Sequence, residues 1–129
     1  MTLIPDTHAD LLDRPLFGHL ATTRADGTPH VNPMWFLWDG EFLSFTTSTT
    51  RAKYKELVAR PQAAVSVNDP EAPYRYLEIR GSVERIEPDP AGEFFDVLAK
   101  RYGLAMDGPV GDAAVRVRIF VKPTHTTSQ

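Results

Sequence analysis

The chain of 129 residues contains no cysteine. That absence excludes a disulfide framework, a thiolate metal site and a thiol nucleophile. No apolar run approaches the roughly 20 residues that a membrane-spanning helix requires. The excess of basic charge that marks most nucleic-acid surfaces is missing too, because the formal net charge is −3. No Gly-rich phosphate loop joins a strand to a helix, and there is neither a nucleophile elbow nor a pair of histidines at helical spacing. The N-terminal Met1-Thr2-Leu3-Ile4-Pro5-Asp6 lacks the basic region and apolar run of a signal peptide, so a cytoplasmic protein is expected.

What is present is ordinary in bulk, with 42% hydrophobic and 24% charged residues. The length suits one domain spanning residues 1–129, large enough to bury a core without cross-links. Residues 6–14 read as a short helix capped by Asp6 or Thr7, with Leu11 and Leu12 facing inward. Phe17 to Thr23 reads as a strand. Asp26-Gly27 supplies a hairpin turn, a second strand covers about 30–38, and Asp39-Gly40 turns the chain into Phe42–Thr46. The expected arrangement is a three-strand antiparallel meander.

A helix follows from Thr50 to about Ala59, stopped by Pro61. The small apolar run Ala63–Val67 reads as a buried strand. A long strand from Tyr74 to Ile86 comes next, with Leu77, Ile79 and Val83 on one face. Gly81 on that face signals a bulge or a close backbone approach. A second helix spans about 91–102, with Phe94, Val97 and Leu98 at core spacing. In the last strand Val115, Val117, Ile119 and Val121 alternate with basic residues, and a loose tail is expected after Pro123. Six mostly antiparallel strands with two to three short helices predict a mainly β, α+β architecture, a closed or nearly closed barrel with helices over its ends.

One stretch contradicts its own local structure. Thr46-Thr47-Ser48-Thr49-Thr50 ends a strand in hydroxyls, and Arg51, Lys53 and Lys55 then open a helix. A helix N-terminus carries unpaired N–H groups and partial positive charge, so cations there cost stability unless an anion offsets them. Residues 51–60 hold four basic residues against the single acidic Glu56. A solvated helix face would explain a charge cluster elsewhere, but its position after the hydroxyl run favours a bound phosphate.

The second strand adds a different feature. Pro29-His30-Val31-Asn32-Pro33-Met34-Trp35-Phe36-Leu37-Trp38 carries a proline in mid-strand, which confines it to an edge or a bulge. Asn32 and Pro33 therefore present irregular backbone beside Met34 and Trp35, a setting suited to a planar heterocycle. Trp35, Phe36 and Trp38 fit an aromatic core strand equally well. His30 stands close to this region as a candidate ligand contact, whereas His19 reads as structural and His125 lies in the tail. His8, Asp10 and Asp13 fit a solvated helix better than a metal site, so no metal is expected.

The residues Leu20-Ala21-Thr22, Asp26 to Pro33, Phe45-Thr46-Thr47 and Arg51-Ala52-Lys53 together resemble the split-barrel flavin-binding family typified by pyridoxamine 5′-phosphate oxidase, and most nearly its branch that binds the deazaflavin F420. The resemblance extends from about Leu11 to Lys122. It implies a homodimer of split barrels with the cofactor ring at the subunit interface. It also implies that Thr47, Arg51 and Lys53 contact the cofactor phosphate. The FMN-using oxidases have two cations along the second strand, at positions that are Asn32 and Leu37 here, so the pattern points to F420 rather than FMN.

The function expected from this is hydride transfer from reduced F420 to an electron-poor conjugated small molecule. Thr47, Ser48, Thr49, Thr50, Arg51 and Lys53 are expected at the phosphate, and Asn32, Pro33 and Met34 along the ring. Trp35 and Tyr76 are expected at the acceptor pocket, and no catalytic acid is identified. The rival expectations are an FMN-dependent oxidase or reductase on the same fold, or a protein that binds F420, flavin or haem without turnover. No nucleic acid or membrane partner is expected.

Overall fold

A computed structural model describes residues 3–129, so Met1 and Thr2 of the segment read above for a leader lie outside the described residues. Among the described residues there are seven strands: β1 (Gly18–Thr23), β2 (Pro29–Met34), β3 (Leu37–Trp38), β4 (Leu43–Ser48), β5 (Gln62–Asp69), β6 (Ala72–Pro88) and β7 (Arg116–Ser128). Three helices accompany them: α1 (Asp10–Asp13), α2 (Ala52–Ala59) and α3 (Glu93–Arg101). All pairings are antiparallel, in the order β2-β1-β5-β6-β7-β4-β3.

The two outer strands of that order, β2 and β3, are consecutive in the chain and separated only by Trp35 and Phe36. Three Cα steps reach at most about 11 Å, so the sheet must curl until its edges nearly meet. This corrects the expected meander and the single strand over 30–38. The chain leaves β2 after Met34, buries Phe36 completely, and begins a new hairpin in which Leu37 pairs with Ser44. The link survives outside any ladder because the Tyr102 hydroxyl accepts from Phe36 N at 3.1 Å and donates to Leu16 O at 2.7 Å.

The core lies inside the curl, where Leu20, Phe36, Phe45, Val65, Leu77, Ile79 and Ile119 are each at most 1% exposed. Leu11 and Leu12 of α1 close one end, both fully buried. That helix is shorter than expected, begins after turns over residues 6–9, and has Ala9 rather than Asp6 or Thr7 at its N-cap. In α3, Phe94 and Leu98 are buried as their spacing predicts, but Val97 is half exposed. Its start is held by Asp89, whose carboxylate accepts from the N–H groups of Phe94 and Phe95.

The expected loose tail is absent. β7 continues to Ser128 along β6, and Val115 falls in the 3-10 turn Ala113–Val115 before it. Pro123 is accommodated because the ladder shifts register between Arg80 and Gly81, opposite it. At Gly81 an added Cβ would lie 2.2 Å from Lys122 O, the close backbone approach that the glycine signals. No helix among the described residues is long and apolar enough to cross a membrane.

Candidate functional site

A cavity of about 600 Å³ opens where edge strand β2 faces the start of α2. Asn32, Pro33 and Met34 come to it from β2, and Trp35 from the link that follows. Thr46 and Thr47 come from β4, and Arg51, Ala52 and Lys53 from the first turn of α2. The cavity therefore gathers two regions that the sequence keeps apart, the irregular strand and the basic helix start.

α2 begins without a side-chain cap. Its first N–H groups thus lack a helical partner, and Ala52 lies on the cavity wall. Arg51, at the N-cap position, is exposed, and its guanidinium forms no hydrogen bond or ion pair among the described residues. Arg116 contributes a further cation, with Nε donating to Asp112 Oδ1 at 2.8 Å and the guanidinium 5.0 Å from the Phe95 ring centre. Positive charge and helix polarity thus point the same way, toward an anion.

Lys53 is bound differently from Arg51. Its side chain is buried, and Nζ donates to Thr22 Oγ1 at 3.1 Å and to the His30 carbonyl at 2.9 Å. Two of its three protons are therefore engaged within the protein, leaving one for the cavity. Burial pushes its pKa down to about 8, the Glu56 charge opposes that shift, and Arg24 adds to it. Thr22 donates in turn to Glu56 Oε1 at 2.6 Å, and His30 Nδ1 lies 3.0 Å from the same oxygen. Burial raises the Glu56 pKa, but the hydrogen bonds from Thr22 and His30, with the nearby charges, outweigh it and hold the carboxyl below its usual range.

The remaining expected residues are placed as follows. Ser48 is buried and its Oγ lies 2.8 Å from Thr50 Oγ1. Thr49 N donates to Val115 O at 3.0 Å. These three residues shape the turn that delivers Arg51 and do not line the cavity. Tyr76 lies on β6, where its N–H and C=O pair with Gln129, away from the cavity. Leu37 is in β3, also outside it.

Sequence reasoning did not assign Phe17, Thr46 or Arg116 to the site. Phe17 and Arg116 approach from distant parts of the chain and carry no local signal. Thr46 belonged to the hydroxyl run, and its Oγ1 is a buried polar atom with no hydrogen-bond partner. Thr46 lies on the cavity wall, and a buried hydroxyl of this kind calls for a polar partner. Among the described residues no group of His, Asp or Glu is placed to hold a metal. The arrangement can hold an anion at the α2 start and a flat polar ring along Asn32–Trp35.

Over residues 4–125 the sequence matches the family described as pyridoxamine 5′-phosphate oxidase. A solved F420 reductase is 54% identical, with 98% of this chain and 100% of that chain covered and a TM-score of 0.95. A putative pyridoxamine 5′-phosphate oxidase from Listeria innocua is 22% identical over 95% of each chain, with a TM-score of 0.73. A FAD and heme binding protein from Mycobacterium smegmatis is 22% identical, covers 99% of this chain and 71% of that chain, and gives a TM-score of 0.72. The last two establish the shared fold alone.

Proposed function

The chain belongs to the pyridoxamine 5′-phosphate oxidase family, and from that footing we propose that it is a reductase dependent on the deazaflavin F420, acting on an electron-poor conjugated small molecule. The observation that carries this reading is the uncapped, doubly cationic start of α2 opening into the cavity. The 54% identity to an F420 reductase along the whole of that chain supports it. The donor set fits the group: Arg51, the free α2 N–H groups and the third Lys53 proton suit a phosphate, and the orphaned Thr46 hydroxyl suits a polar edge. β2 brings no lysine or arginine to the cavity, in keeping with a cofactor anchored at the helix start.

When bound, the deazaflavin supplies the hydride; the chain binds, orients and dries the site. Arg51, Lys53 and Thr47 hold the phosphate end, and Ser48, Thr49 and Thr50 set the turn that presents them. Asn32, Pro33 and Met34 lie along the ring. Trp35, stacked 5.1 Å from Tyr102, forms a rigid wall for the acceptor and keeps water from it. A homodimer whose second copy closes the cavity completes the proposal, supported by Phe17, an apolar ring 56% exposed on the rim.

Titration with F420 and with FMN tests the cofactor. Saturable binding of F420 without FMN is expected, and the reverse preference sinks the reading. Acceptor-dependent oxidation of pre-reduced F420 in stopped flow separates a reductase from a protein that only binds the cofactor.

A further inference from the structure

Reduction of a conjugated acceptor consumes a proton as well as a hydride. Among the described residues, the basic side chains on the cavity wall that can give up a proton are His30 and Lys53, since an arginine keeps its own. Lys53 is already tied to Thr22 and to the His30 carbonyl beside the anion-binding helix start. His30 divides its roles differently: its backbone oxygen holds Lys53, while its ring engages Glu56 through Nδ1, 3.0 Å from Oε1 and 3.2 Å from Oε2. A carboxylate only accepts hydrogen bonds, so the Nδ1 proton must belong to the ring. The downward shift of the Glu56 carboxyl agrees with its being ionised. Nε2 is then the free nitrogen of a ring whose tautomer is fixed from behind, and it has no partner among the described residues.

We propose that His30 is the proton donor of this site, offering Nε2 to the acceptor, and that Glu56 is the positioning residue that fixes the ring and its tautomer. The inference rests on the F420-reductase reading above. For an enone, the acceptor's β-carbon gains the hydride and the C=C electron pair moves toward the carbonyl. The α-carbon or oxygen then takes the proton from Nε2, and the imidazolium becomes neutral imidazole, recharged from solvent. Reduced deazaflavin, when bound, would supply that hydride as the two-electron donor, and its remaining proton would pass to solvent. The charged groups packed around the dyad are Glu56 and Lys53 of α2 and Arg24 beyond β1, with Arg51 and Arg116 on the same cavity wall. β1 otherwise presents only the uncharged Thr22 to it.

Two measurements test the proposal independently. Ring nitrogen NMR on the cofactor-free protein at alkaline pH should show wild-type His30 protonated at Nδ1, and Glu56→Ala should convert it mainly to the Nε2–H form. A wild-type ring already in the Nε2–H form overturns the proposal without any variant. With reduced F420 and cyclohexenone as the probe, His30→Ala should slow acceptor reduction about a hundredfold, the scale of general acid catalysis. F420 affinity should stay within about twofold, since the Lys53 tether is to backbone, and added imidazole should restore part of the rate. A rate within about threefold of wild type, a loss confined to F420 affinity, or an absence of imidazole rescue overturns it. A wild-type protein that binds no F420 defeats the function reading first, and the ring spectrum then tells a wrong cofactor from a wrong dyad.

Discussion

Lys53 Nζ lies 2.9 Å from the carbonyl oxygen of His30, so the first turn of α2 is tied to edge strand β2 through the protein's own atoms. Any anion bound at that helix start meets a lysine whose position is already set. Arg51, exposed and unpaired, is free to adjust. Pre-set and adjustable cations have different signatures on mutation.

Lys53→Ala should weaken F420 binding by about 1–3 kcal/mol, the scale of a charge-assisted hydrogen bond, with the fold retained. Lys53→Glu should be worse because it adds repulsion. Fluorescence titration of F420 measures both; unchanged affinity for the alanine variant would remove Lys53 from the anion site.

The depressed Lys53 pKa makes a pH prediction with a definite sign. The folded value is about 8 and the ordinary lysine value is 10.5, so between them the unfolded chain binds more protons than the folded one. The Lys53 contribution to stability therefore rises with pH across that window. Cofactor affinity moves the opposite way, falling above about pH 8 as Lys53 loses its charge. Urea denaturation and F420 titration from pH 7 to 10, each repeated on Lys53→Met, should show both trends in the wild type and neither in the variant.

Tyr102→Phe removes the hydroxyl that joins Leu16 O, Phe36 N and Phe36 O. A cost of about 1–2 kcal/mol is expected from lost hydrogen bonds and an unpaired backbone group. Because the segments it joins carry Phe17 and Trp35, KM for the acceptor should rise while F420 affinity holds. Denaturation midpoints and steady-state kinetics check the two halves separately.

Gly81→Ala forces a Cβ to within 2.2 Å of Lys122 O, a contact between backbones with no flexible side chain to yield. Destabilisation of about 3 kcal/mol or more is expected, at the upper end of overpacking costs. A melting temperature close to wild type would show that the β6–β7 bulge can relax.

The sequence made some of this plain and concealed the rest for identifiable reasons. Local chemistry exposed the hairpin turn at Asp26-Gly27, the Pro61 helix stop and the special role of Gly81, since each is decided by a few neighbouring residues. The break after Met34 was hidden because Trp35-Phe36-Leu37-Trp38 has the composition of a continuing strand, and only the curl of the sheet separates Phe36 from Trp38. The run of strand past Pro123 was hidden because proline reads as a terminator until the bulge opposite it is known. In the site, the basic helix start advertised itself through charge in the wrong place. The Thr22–Glu56–His30 connections did not, because they join residues 26 to 34 positions apart.

The two-residue link between β2 and β3 also limits how this protein can vary. It is a seam: one side fastens the sheet edges together, and the other side is the wall of the cavity. A change of length there would unfasten the sheet and displace Trp35 in the same event. On the proposed reading, new acceptors would be reached by exchanging the side chain at 35, whereas the largely exposed segment over 104–109, which joins no two strands edge to edge and stops short of the Asp112 that holds Arg116, has more room to lengthen or shorten.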